Sequence, residues 1–246
     1  MFRPLRRLFL FANALFLAAV LSAQTPVQPA TAVANAPSAL ATPCCGVITP
    51  EGRHLLALLD SMDVEHHWLN HKHIDWVTGN QDRADTYDGP DKASHCSAFA
   101  GAVGLRLNVY ILRPPEHPQQ LLASAQGEWL ATKAAQDAGW TNITDPAHAQ
   151  HLANLGAFVV VDYVSPDPHT PGHIAVIRPS EKTAAQLAKD GPEITQAGAS
   201  NYDDYVAAKI FDHHPGAWPN DVRYYSHPVQ WSSVPQSTAA QTSPAP

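Results

Sequence analysis

The chain reads as an α+β domain, with helices first and strands after them, forming a small antiparallel sheet with a helix packed on one side. Three observations predict this. Leucines at 55, 56, 58 and 59 repeat at helical spacing, and a small-residue apolar run from Cys96 to Leu105 reads as a second helical stretch. In the second half, β-branched runs take over at Ala157–Val164 and His173–Arg178. Polar, Gly- and Pro-bearing segments separate these stretches.

The elements follow in order. Glu51–Met62 is a helix and Val64–Asp75 a second one. Asn80–Lys92, broken by Gly89-Pro90, is a loop. A helix then starts at Ser94 or His95 and runs to Leu107, and Asn108–Leu112 makes a short strand. Pro118 sits at the first turn of a helix that extends to Asp137 and stops at Ala138-Gly139-Trp140. Thr144-Asp145-Pro146 caps a short helix ending at Gly156. Ala157–Val164 is nearly continuous in apolar residues, which suits a buried strand. His173–Arg178 is the next strand, Ser180–Lys189 a surface helix closed by Gly191, Pro192–Gln196 a third strand and Asp221–Tyr225 a fourth. The sequence shows no internal repeat.

At 246 residues the chain suits one domain with tails. In residues 1–23, Arg3, Arg6 and Arg7 precede an apolar stretch, Leu8–Leu21, and a small-residue cleavage site, Leu21-Ser22-Ala23. This predicts a secretory signal peptide, with a membrane anchor as the rival, since the apolar run is short for a span. Residues 24–45 form an uncharged Pro/Ala/Thr linker, 46–230 the globular domain and 231–246 a tail; linker and tail have no face to bury and are expected to be disordered. The expected destination is the periplasm or the exterior, with no stable membrane insertion once the signal is removed.

The 15 basic and 22 acidic residues give a net charge of −7. Removing residues 1–23 takes away three arginines and no acid, leaving −10. Such a surface argues against nucleic acid or anionic lipid as the main partner.

Three cysteines are too few for a disulfide scaffold. Cys44 and Cys45 are adjacent, and the sequence leaves open whether they bond each other, bond another chain or stay reduced. Cys96 is expected to be a free thiol; a bridge from Cys96 to one of that pair is the rival. Cys96 follows a long polar loop and starts a helix, where free backbone N–H groups and partial positive charge lower a thiol pKa. Ser97, Ala98, Ala100 and Gly101 beside it permit close approach of a sheet and a substrate backbone. His173 opens an apolar strand behind Pro171-Gly172, so it is either the imidazole partner of Cys96 or a polar cap on the sheet. Gln196, ending the next strand, can fix the histidine tautomer; Asn201 in the following loop is the second candidate. Tyr87, in the loop before Cys96, can offer its hydroxyl to a substrate carbonyl or oxyanion beside the Cys96 N–H, or simply pack on the domain.

Tyr87, then His95-Cys96-Ser97-Ala98-Phe99 at a helix start, then Gly172-His173-Ile174-Ala175-Val176, then a strand ending in a polar residue, resembles the NlpC/P60 and CHAP cysteine peptidases over roughly residues 84–226. The resemblance implies a papain-like fold, with the small sheet packed against the helix bearing the nucleophile and a helical insertion between Cys and His. It implies Cys96 as nucleophile, His173 as general base and Gln196 as the orienting third residue. It departs from the family in reading His-Cys-Ser-Ala for Asp-Cys-Ser-Gly, and in having an amide where a histidine or acid is common. The implied activity is cleavage of an amide bond of peptidoglycan, in the stem peptide or at muramic acid, through an acyl-enzyme that needs no cofactor. Peptidoglycan is then the substrate partner, and an inhibitor or immunity protein is left open.

His66, His67, His71 and His73 crowd a short stretch, and 67 and 71 share a face if the stretch is helical. No His-Glu-x-x-His pattern completes a zinc-protease site, and no metal is assigned. The competing function is a noncatalytic periplasmic binding or metal-buffering module built on this segment. His213-His214 precedes Pro215-Gly216 in a loop and is given no chemical role.

Overall fold

A computed structural model describes residues 44–235. The expected signal peptide, residues 24–43 of the expected linker and the expected tail from 236 onward lie outside the described residues.

Among the described residues six strands form one antiparallel sheet: β1 (Thr141–Ile143), β2 (Phe158–Tyr163), β3 (His173–Ile177), β4 (Glu193–Gln196), β5 (Tyr202–Val206) and β6 (Arg223–His227), in the spatial order β1-β6-β2-β3-β4-β5. Among the described residues seven α-helices accompany it: α1 (Pro50–Ser61), α2 (Cys96–Arg106), α3 (Leu122–Leu130), α4 (Lys133–Asp137), α5 (Pro146–Asn154), α6 (Ala184–Asp190) and α7 (Ala207–Phe211). The α+β class and the small antiparallel sheet are as the sequence predicts. Helices, however, cover both faces rather than one. Val160, Ile174, Val176 and Tyr225 pack with residues of α1, α2 and α3, while Val159, Val161, Ala175, Ile177 and Tyr224 pack with α5 and α7. Alternation along each strand produces the division, and it decides which side chains can meet.

Several elements follow from local chemistry. Thr49 caps α1, accepting from the Gly52 N–H at 3.1 Å, and Asp145 caps α5, accepting from the Ala147 N–H at 3.0 Å. Thr183 and Gln186 form a reciprocal capping box on α6.

Four expectations are corrected. Val64–Asp75 is a chain of turns, not a helix. Trp68 (φ 51) and His71 (φ 64) are left-handed, and the carbonyls of Val64, His67 and Trp68 receive the Asn201 amide instead of helical N–H groups. Asn108–Leu112 pairs with no strand; Trp140 Nε1–H donates to the Tyr110 carbonyl at 2.8 Å and Gln126 Nε2–H to that of Leu112 at 2.8 Å. The helix expected over Pro118–Asp137 begins only at Leu122, after left-handed Leu121 (φ 58), and is two helices, the first ending at Leu130 and the second capped by Thr132. Strand β5 was not foreseen: Tyr-Asp-Asp-Tyr-Val carries acids where an apolar strand signal was sought, a pattern an edge strand tolerates.

The domain also begins and ends beyond its expected limits of 46 and 230. Cys44 and Cys45 bond each other, the Cys44 N–H donates to the Lys182 carbonyl at 2.9 Å, and Cys45 is buried. At the other end Trp231 packs against the core, and its Nε1–H donates to the Gly156 carbonyl at 2.9 Å. Asn154 stitches the N-terminal margin shut. Its Nδ2 donates to the carbonyls of Gly46 (3.1 Å) and Ser180 (2.9 Å), and its Oδ1 accepts from the Ser180 N–H (2.9 Å).

Helices α1 and α5 approach through Gly52: a Cβ there would stand 2.1 Å from the Asn154 carbonyl oxygen. Gly52→Ala is therefore expected to destabilise the fold by about 1–3 kcal/mol through overpacking. Urea unfolding would measure it, and an unchanged midpoint would mean the two helices part at no cost.

Candidate active site

Cys96 is the first residue of the eleven-residue helix α2 and a free thiol, so a bridge from it to Cys44 or Cys45 is ruled out. It lies in the wall of a cavity of about 330 Å³ between the start of α2, the start of α3 and the loop before β3. His95, Ser97, Gln119, His169 and Pro171 line the same cavity. His95 is buried and its Nε2 meets the Lys72 carbonyl at 2.8 Å, so Nε2 carries the proton and Nδ1 is bare. Burial holds the His95 imidazole below its ordinary pKa. Gln119 Oε1 is buried without a hydrogen-bond partner. His169 is exposed on the loop, where its N–H donates to Asp167 Oδ1 at 2.9 Å.

The helix-start effect on the thiol is present and is outweighed. Burial pushes the Cys96 thiol up to about 11, while the Ile174 and Ser97 N–H groups pull it down and the Asp162 carboxyl adds to the rise. At rest Cys96 is a protonated thiol.

The expected meeting of Cys96 with His173 does not occur. Cys96 belongs to the α2 side of the sheet together with Ile174. His173, one position earlier on β3, points to the other side, where its ring stacks on His214 (5.2 Å, 19°) and meets Phe211 edge-on (5.2 Å). His173 Nε2 is buried with no hydrogen-bond partner. Burial, and then the neighbouring His214, hold this imidazole down to about 3. Adjacent strand residues face opposite ways, so no rotamer change carries the ring across.

The other predicted residues divide likewise. Gln196 lies beside His173 on that far side, and its side chain favours the protonated ring, offsetting a small part of the burial effect. Its Nε2 donates to the Ser200 carbonyl at 2.5 Å and its Oε1 is buried without a partner. Asn201 is a structural clamp: Nδ2 holds the carbonyls of the Trp68 turn and Oδ1 accepts from the Gly198 N–H at 2.9 Å. Tyr87 stands edge-on to His73 at 4.9 Å and is absent from the cavity wall. None of the three touches the Cys96 cavity.

Sequence reasoning passed over His169 and Asp162. In His169-Thr-Pro-Gly-His173 the second histidine drew attention because it adjoins the strand. Asp162 is the single acid in the run Phe-Val-Val-Val-Asp-Tyr, a signal in itself. It is fully buried on the α2 side, both carboxyl oxygens lack partners, and burial raises its pKa well above the usual carboxylate range.

The histidine-rich segment gathers no site. His66 pairs with Asp63 at 2.6 Å and His73 with Asp82 at 2.5 Å, and among the described residues no group of three or more His, Cys, Asp or Glu is placed to hold a metal ion. Among the described residues no helix is long and apolar enough to cross a membrane. No protein-family model matches the chain, and no curated protein matches it.

Proposed function

We propose that the chain is an exported, papain-like cysteine hydrolase of the NlpC/P60 and CHAP kind, that it cuts an amide bond of peptidoglycan, and that Cys96 acts with His169 rather than with His173. One observation carries this reading: Cys96, at a helix start, opens onto a cavity whose wall also holds an imidazole with solvent access. The His-Cys-Ser-Ala motif and the packing of α2 against β3 support it.

The chemistry follows from the protonated thiol. A thiol held near 11 cannot attack as a preformed thiolate at neutral pH, so the proton must leave during attack. His169 takes it as Sγ bonds to the substrate carbonyl carbon. The carbonyl electrons move onto oxygen, where the unpaired N–H groups of the α2 start receive them. Collapse expels the amine, which takes the proton back from His169. Water, deprotonated by the same imidazole, then cleaves the thioester and regenerates the thiol.

The histidines supply the test. His169→Ala should slow release of fragments from purified sacculi by a factor of about 100 or more, the range of general-base removal. His173→Gln should stay within a few-fold of the parent at neutral pH. The fragments are read by mass, which also identifies the bond. If His173→Gln is the inactive variant and His169→Ala is not, the assignment of the base is wrong.

A further inference from the structure

Midway along α2, away from the cavity, Gly101 leaves the helix backbone bare. A Cβ there would come within 3.3 Å of Arg113 Cβ and 3.6 Å of the Trp76 ring, so both side chains lie directly on the helix. The Arg113 guanidinium sits over Trp76 at 6.0 Å and over Tyr110 at 5.2 Å, and Tyr110 meets Trp129 edge-on at 5.4 Å. All four side chains are partly exposed.

The cluster is held from beneath. The indole of buried Trp68 donates to the Trp76 carbonyl at 3.1 Å, and that of buried Trp140 donates to the Tyr110 carbonyl at 2.8 Å. Two core tryptophans therefore fix the backbone of the two residues that flank the guanidinium. Among the described residues Arg113 forms no salt bridge, on a chain of net charge −7. A guanidinium stacked on rings keeps its in-plane N–H fork free for a carboxylate. The partly exposed rings beside it suit the C–H face of a pyranose.

We infer that Trp76, Tyr110, Arg113 and Trp129 form a docking platform for a peptide-free muramic acid unit of a glycan chain, whose carboxylate is free rather than amide-linked. The choice of glycan rests on the function proposed above. Gly101 lies five residues after Cys96, about 7.5 Å along the α2 axis and about 140° round it, so the platform occupies a different flank of the helix from the thiol.

The test uses full-length Cys96→Ala protein, which cannot turn over substrate, with indole N–H resonances as the readout. N-acetylmuramic acid should shift the Trp76 and Trp129 signals and leave those of Trp68 and Trp140 in place. N-acetylglucosamine, which has the same ring without the carboxylate, should bind about tenfold more weakly, and Arg113→Gln should reduce the acidic sugar to that level. Unmoved Trp76 and Trp129 signals, or equal binding by Arg113→Gln, would overturn the platform. D-lactate binding as tightly as the acidic sugar would overturn its saccharide character. Platform failure with normal sacculus hydrolysis by the parent protein leaves the hydrolase standing. Sugar binding without hydrolysis removes the hydrolase and leaves a glycan-binding protein.

Discussion

Cys96→Ala should reduce peptidoglycan fragment release by on the order of 1000-fold or more, as loss of a nucleophile does, while the melting temperature changes little. The substitution removes one sulfur from a wall that already opens to a cavity, so the packing loss is small. The companion measurement is alkylation by iodoacetamide across pH. With the thiol held near 11, labelling of the resting protein should be slow at pH 7 and climb through the alkaline range. The helix start alone would predict fast labelling in mild acid. Unchanged hydrolysis by Cys96→Ala would end the hydrolase proposal; rapid labelling at pH 6 would show a thiolate at rest and remove the need for proton transfer during attack.

Acid is expected to unfold this domain through His173. Its folded pKa of about 3 lies below the ordinary value of 6.5, so the unfolded chain takes up the proton first. The stability that its neutrality contributes is present above pH 6.5 and is lost as pH falls toward 3. At about 1.4 kcal/mol per pH unit, the loss amounts to up to about 4 kcal/mol by the end of that window. His173→Gln, which does not titrate, should flatten the dependence of urea stability on pH between 6.5 and 4. The stack on His214 and the edge contact with Phe211 give the position its shape, so some neutral-pH stability is lost as well. A variant whose acid transition matches the parent's would mean that the imidazole reaches water before the fold opens.

What the sequence made legible was local. The helices at 50–61 and 96–106 and the strands at 158–163 and 173–177 are written in periodicity and capping residues, and the thiol position follows from them. The site itself was not legible, because it depends on which face of β3 meets α2. His173, Ala175 and Ile177 form one row and Ile174 and Val176 the other, and both rows are apolar enough to be buried. A sheet covered on a single face would have decided the matter; here two cores compete for the strand. Asn201 and Trp68 show the same limit. A left-handed tryptophan stabilised by an amide 133 residues away leaves no trace in a helical periodicity count.

The Asn154 amide reaches Gly46, 108 residues upstream, and Ser180, 26 residues downstream. During synthesis the earliest of these segments must therefore wait for the latest. The Asn154 contacts at the margin of the described domain are complete only once residue 180 has left the ribosome, so this part of the fold rests on pairings distant in sequence.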